Sequence, residues 1–192
     1  FRMAMMINCD KTPLTKKKLK LMFVDVKKAH LNGRLKEDEW AYVRLPAKAG
    51  GGVGRLRRWL YGMRKAASAW EDEYAKNLES VGFVRGKAAP TTFFNKETGV
   101  RAVVHGDDFT FLGRDLDLKM MRDHLNEWYE TTSRGTLGPG PGDDKEVRIL
   151  NRTLKWGSNG ITYEGDDKHA RKVISAMGLA EGSKGLDQAV VK

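Results

Sequence analysis

Between Val100 and Gly113 the chain reads VRAVVHGDDFTFLG: two apolar, β-prone runs on either side of a Gly-Asp-Asp bend. This pattern predicts a β-hairpin, and a hairpin makes its two strands antiparallel neighbours. The run TTFFN (91 to 95), joined to VRAVV (100 to 104) through the turn KETG, predicts a third strand of the same meander, with FTFLG (109 to 113) completing it.

The rest of the chain adds helices and further strands to this nucleus. KLKLMFVDV (18 to 26) is a dense apolar run, predicted as a buried strand that delivers Asp25 at its C-terminal end. WAYVRLP (40 to 46) is a second strand, stopped by Pro46. KAASAWEDEYAKNLESVG (65 to 82) places Trp70, Tyr74, Leu78 and Val81 on one helical face and ends at Gly82. DLDLKMMRDHLNEWYE (115 to 130) repeats that spacing with Leu118, Met121, Leu125 and Trp128. EVRILNRTLKW and GITYEG follow as two strands, and a last helix runs from about Asp167 to Met177 with Ala170, Val173, Ile174 and Met177 on one face. PAKAGGGVG (46 to 54) and SRGTLGPGPGDDKE (133 to 146) read as Gly/Pro-rich loops. Hairpins dominate the connections, so the expected class is α+β: a mostly antiparallel sheet with helices packed on one face.

At 192 residues the chain suits one unit. No apolar run approaches the ~20 residues that span a bilayer, and the N-terminus reads as too short and polar for a signal peptide, so no membrane is expected. A lone cysteine, Cys9, leaves no internal disulfide or zinc-thiolate cluster, and His30, His105, His124 and His169 match no common zinc spacing. Lys and Arg number 35 against 25 Asp and Glu, a net charge of +10. That excess points to a polyanion such as nucleic acid, or equally to a basic solvated surface. KTPLTKKKLK (11 to 20) divides in the same way, between template phosphates and solvation. GGGVGRL has neither a third glycine opening a helix nor a Walker lysine and reads as a loop. Trp59, Trp70, Trp128 and Trp156 read as packing residues, not base-stacking platforms.

On spacing alone an Asp-Asp pair at a hairpin bend is a solvated turn. The alternative needs Asp25: if its strand lies beside the hairpin, Asp25, Asp107 and Asp108 converge, and three like charges call for a cation among them. Mg²⁺ or Mn²⁺, both oxygen-seeking, would suit, and two such ions would clamp an in-line phosphoryl transfer.

Three ordered stretches carry a resemblance. FVDVKKAHLNGRL (23 to 35), LYGMRKAASAWEDEY (60 to 74) and VVHGDDFTFLG (103 to 113) resemble the reverse transcriptase of copia-type LTR retrotransposons. There the matching stretches read D-V-K-x-A-F-L-N-G, L-Y-G-L-K-Q-A-P-R-x-W and Y-V-D-D. LESVGFVRGKAAPTTFF (78 to 94) matches the linker between the second and third motifs, and RILNRTLKW and the closing helix match more loosely.

The resemblance implies a right-hand polymerase palm of ferredoxin-like topology over residues 1–132, the loop 133–146, and residues 147–192 continuing the same unit. It implies RNA-directed DNA synthesis, in which a primer 3′-OH attacks the α-phosphate of a dNTP on an RNA or DNA template. Asp25, Asp107 and Asp108 are then the catalytic carboxylates holding two Mg²⁺ or Mn²⁺ ions, with Val26 adding a backbone carbonyl. The backbone near Lys28 and Ala29 faces the triphosphate, His30 occupies the steric-gate position, and Lys65 lies beneath the templating pair. His30 replaces the family's Phe, Lys65 its Gln, Ala67 its Pro, Ser68 its common Arg, and His105-Gly106 its Tyr-Val; Gly106 is expected to loosen the bend. Fingers strands before Phe1, an RNase H domain after Lys192, and a cytoplasmic particle or the nucleus as location are also implied only by the family. The alternative reading is a catalytically silent, element-derived domain that binds nucleic acid by charge.

Overall fold

The computed structural model describes residues 19–158, 160–165 and 168–179. Cys9, most of the 11 to 20 basic run and Asp167 lie outside them.

The main sheet has six strands: β1 (Leu19–Val26), β4 (Phe83–Arg85), β5 (Thr92–Asn95), β6 (Arg101–His105), β7 (Asp108–Arg114) and β8 (Thr131–Leu137), in the order β4-β5-β6-β7-β1-β8. Every pair is antiparallel. Helix α1 (Ala66–Ser80) lies between β1 and the hairpin strands in sequence, and α2 (Asp115–Trp128) between β7 and β8. The sequence β1-α1-β6-β7-α2-β8 with spatial order β6-β7-β1-β8 is the ferredoxin-like βαββαβ arrangement expected of a polymerase palm. Strands β4 and β5 extend it along one edge.

Strand alternation sorts the residues of β1 and β7 onto two faces. Met22, Val24, Val26, Phe109 and Phe111 pack with Trp70, Tyr74 and Leu78 of α1 and Leu118, Met121 and Leu125 of α2. Trp70 is central to this layer, its ring set edge-on to Tyr74, Phe109 and Tyr129 at centroid distances of 5.3, 6.1 and 5.0 Å. Leu21, Phe23 and Leu112 point the other way, into a second cluster with Leu137 and Val147. That face is covered by a three-stranded sheet of β9 (Glu146–Ile149), β10 (Arg152–Gly157) and β11 (Gly160–Gly165). Helices α1 and α2 therefore share one face, as expected, whereas α3 (Lys168–Ala176) buries no residue.

The strand count departs from the sequence reading in four places. EVRILNRTLKW is two strands, β9 and β10, because Leu150 (φ 48°) and Asn151 (φ 56°) form a two-residue turn with both residues left-handed. PAKAGGGVG is the tip of a hairpin, not a loose loop. Gly50, Gly51 and Gly52 all take positive φ to reverse the chain, and Val53 and Gly54 already belong to β3 (Val53–Arg55), paired with β2 (Tyr42–Arg44). SRGTLGPGPGDDKE begins inside β8, so the loop proper starts at Gly138. Strand β4 follows α1 directly, just after Gly82, where the sequence pattern predicts only a helix stop.

Candidate active site

Asp25 and Asp108 are directly opposed in the β1–β7 ladder. The next pair is closed by the Val26 N–H donating to the Asp107 carbonyl at 2.9 Å. Opposed residues of an antiparallel pair place their Cβ atoms about 4.5–5.5 Å apart on one face. Alternation puts Asp25 in line with Leu21 and Phe23, and Asp108 in line with Leu112, so both carboxylates stand on the face turned away from α1 and α2. Asp107 is beside them at the second position of the Gly106-Asp107 turn and is exposed. The sheet thus joins the three aspartates that sequence spacing could only place conditionally.

The turn is held from the opposite, dry face. The Trp70 indole N–H donates to the Gly106 carbonyl at 2.8 Å. Gly106 has φ +63° while Asp107 has no positive φ, the pattern of a hairpin turn with glycine at its first central position. Gly106 therefore answers a conformational demand at the bend, where the resembled family has valine. Gly33, at the end of HLNG, does comparable work: a Cβ there would meet the Trp70 backbone nitrogen at 2.9 Å, so only glycine lets the 3-10 turn Ala29–Asn32 seat against α1.

Arg134 supplies the positive charge. Strand β8 pairs Phe23 with Gly135 but Val24 with Ser133, which leaves Arg134 as the extra residue of a β-bulge. The bulge turns its guanidinium onto Asp25, donating to Oδ1 at 2.8 Å. Burial, then the charges of Asp107 and Asp25, push the Asp108 carboxyl above its ordinary range, with Arg134 and His105 opposing them. Nothing in the sequence marked Arg134, because its glycine-flanked context reads as loop.

The other expected site residues are distributed more widely. Val26 is fully buried, its side chain in the helix-side core. Lys28 is exposed with φ 54°, immediately before the 3-10 turn, and Ala29 is buried beneath it. His30 rests on Tyr61 with ring centroids 4.6 Å apart, and its Nδ1 is buried without a hydrogen-bond partner. Lys65, at the entrance to α1, is ion-paired with Glu39 at 2.8 Å. That pair holds the Lys65 ammonium above its ordinary range and, together with the Lys36 backbone N–H, the Glu39 carboxyl below its own.

As a donor set, three carboxylates suit a hard divalent cation. In this arrangement Asp25 is committed to Arg134, and among the described residues no group of three His, Cys, Asp or Glu side chains is spaced to hold an ion. A cation there requires Arg134 to yield Asp25.

No known family's sequence profile matches the chain, and no curated protein matches it. Among solved structures it is similar to apo telomerase from Candida tropicalis truncated from its C-terminal domain, at 12% identity and a TM-score of 0.49. The match covers 85% of this chain and 40% of that one, so the chain spans less than half the length of that protein.

Proposed function

We propose that this chain is the palm-containing part of a reverse transcriptase similar to those of copia-type LTR retrotransposons. Its reaction is the transfer of nucleotidyl groups from dNTPs to a primer 3′-OH on an RNA or DNA template. The observation that carries the reading is the register of Asp25 against Asp108, with Asp107 adjacent at the turn. Residues far apart in sequence meet at one end of the two strands, on the sheet face turned away from α1 and α2.

In this reading Asp25, Asp107 and Asp108, with the Val26 carbonyl, would hold two Mg²⁺ or Mn²⁺ ions once Arg134 releases Asp25. Bound there, the ions would supply charge neutralisation and activation for in-line attack on the α-phosphate. The protein's own part is positional. Trp70 and Gly106 fix the turn that presents Asp107 and Asp108. The segment Lys28 to His30, seated on α1 through Gly33, faces the incoming triphosphate and sugar. Lys65 reaches the templating pair only on leaving Glu39.

A second reading draws on the Arg134–Asp25 contact. A palm in which an internal arginine holds Asp25 away from any ion is a nucleic-acid-binding domain without catalysis. Two measurements separate the readings. Calorimetric titration with Mn²⁺ should show binding that is lost in Asp25→Asn and Asp108→Asn. Primer extension on an RNA template should show synthesis that is lost in Asp107→Asn. Absence of any aspartate-dependent Mn²⁺ binding removes the enzyme reading and leaves the silent one.

A further inference from the structure

The β2–β3 hairpin has two unlike faces. Ala41, Leu56 and the adjoining Trp59 pack with Leu35, Met63, Ala66 and Ala69, forming a small core against the start of α1. The reverse face carries Tyr42 opposite Arg55 and Arg44 opposite Val53, with Trp40 one alternation beyond Tyr42. Trp40 is 62% exposed, Tyr42 58% and Val53 70%. The Arg55 guanidinium lies 3.9 Å from the centroid of the Trp40 ring, a diagonal cross-strand contact that orients the indole without burying it.

The charge of the hairpin and the segment after it is one-sided, between the acidic runs Glu37, Asp38, Glu39 and Glu71, Asp72, Glu73. From Trp40 to Trp70 the chain contains Arg44, Lys48, Arg55, Arg57, Arg58, Arg64 and Lys65 and no Asp or Glu, so these 31 residues hold +7 of the net +10. Glu39, just before the stretch, is occupied by the Lys36 N–H and Lys65. Exposed aromatic rings interleaved with arginines, on a hairpin whose own residues include no carboxylate, match what unpaired bases and their phosphates require. Trp40 stands apart from Trp59 and Trp70, which are buried, and from Trp128 and Trp156, which are partly buried in packing.

We infer that this hairpin face is a binding site for single-stranded nucleic acid. Bases stack on Trp40 and Tyr42, while Arg44 and Arg57 meet the backbone. The site is separate from the acidic cluster and requires no turnover there, so its test is run in EDTA without dNTP. A failure of catalysis then has no bearing on it.

The probe is a fluorescein-labelled oligonucleotide of about 12 nucleotides, as RNA and as DNA, followed by anisotropy. Trp40→Ala should weaken binding about 5- to 150-fold, the range for loss of one stacked base, and Trp40→Phe should restore most of it. Arg44→Ala should lower the slope of log affinity against log salt by about 0.7, the change for one phosphate contact on a single strand. Lys119→Ala, on the exposed face of α2, should change neither, and circular dichroism melts check that each variant folds. Unchanged affinity in Trp40→Ala/Tyr42→Ala would overturn the inference and leave charge alone as the source of binding. Equal affinity for a duplex of the same sequence would also overturn it. So would sedimentation showing a Trp40-dependent dimer, because a second copy of the chain would then cover this face.

Discussion

Asp143 and the cluster of Asp25, Asp107 and Asp108 have opposite electrostatic fates. Asp143, in the Gly/Pro-rich loop, has a side chain only 8% exposed. Burial pushes its carboxyl upward, but hydrogen bonds from Lys20 at 2.7 Å and from the Gly140 N–H at 2.7 Å outweigh burial and leave it below the ordinary range. Asp108 also meets burial, yet it shares Arg134 with Asp25 and Asp107 and is left above the ordinary range. Asp143 has two donors, the Gly140 N–H and a lysine shared only with the exposed Asp115, whereas three carboxylates share one cation. The first arrangement fastens a loop to β1; the second leaves carboxylate charge only partly compensated. The comparison distinguishes a satisfied acid from an under-compensated one by its partners, since the residue type is the same.

The largest expected effect comes from removing the cation that reaches the buried Asp143. Lys20→Met should cost about 2–3 kcal/mol, because Asp143 is left buried without its ammonium while the exposed Asp115 partner contributes little. Urea denaturation should show a lower midpoint at unchanged m. Asp108→Asn should act in the opposite direction. It removes a charge that burial and its neighbours oppose, so the melting temperature at pH 7 should rise by about 1–4 °C even as Mn²⁺ binding is lost.

The pH dependence should separate the two groups by sign. The depressed Asp143 contributes stability that is complete above the unfolded value of about 3.9 and disappears as pH falls through its folded value. The elevated Asp108 does the reverse: it costs nothing in acid, and its penalty develops as pH rises from about 3.9 through its folded value. The gain from Asp108→Asn should therefore vanish in acid, whereas the loss from Lys20→Met should shrink there, because Asp143 is then protonated in both proteins. Melts from pH 3 to pH 7 on the two variants check both signs. Arg134→Ala gives the smallest change in stability, about 0–1 kcal/mol, because the guanidinium is half exposed. It should nonetheless tighten Mn²⁺ binding in calorimetry, since Asp25 no longer has an internal partner.

Much of the fold was legible from local pattern. The periodicity of Trp70, Tyr74 and Leu78, and of Leu118, Met121 and Leu125, identified both packed helices and the residues they bury. The Gly-Asp-Asp hairpin set the antiparallel class. Pattern failed where glycine had two meanings: in β8, Gly135 accompanies the bulge, and in the β2–β3 tip the glycines make an ordered reversal. Both segments read as loops because glycine lowers strand propensity whatever its neighbours do.

By itself the sequence determined the three acidic residues, their motif context, the two amphipathic helices and the concentration of positive charge between Trp40 and Trp70. Those features depend on residue identity and short-range spacing. The tertiary structure alone decided that Asp25 faces Asp108 across β1 and β7, that Trp70 holds the turn from behind, and that Arg134 reaches Asp25 through a bulge. It also placed Trp40 outside the core while burying Trp59 and Trp70. The physical reason is register: one residue of slip moves every side chain of a strand to the other face, and which strands pair is settled by packing across the whole sheet.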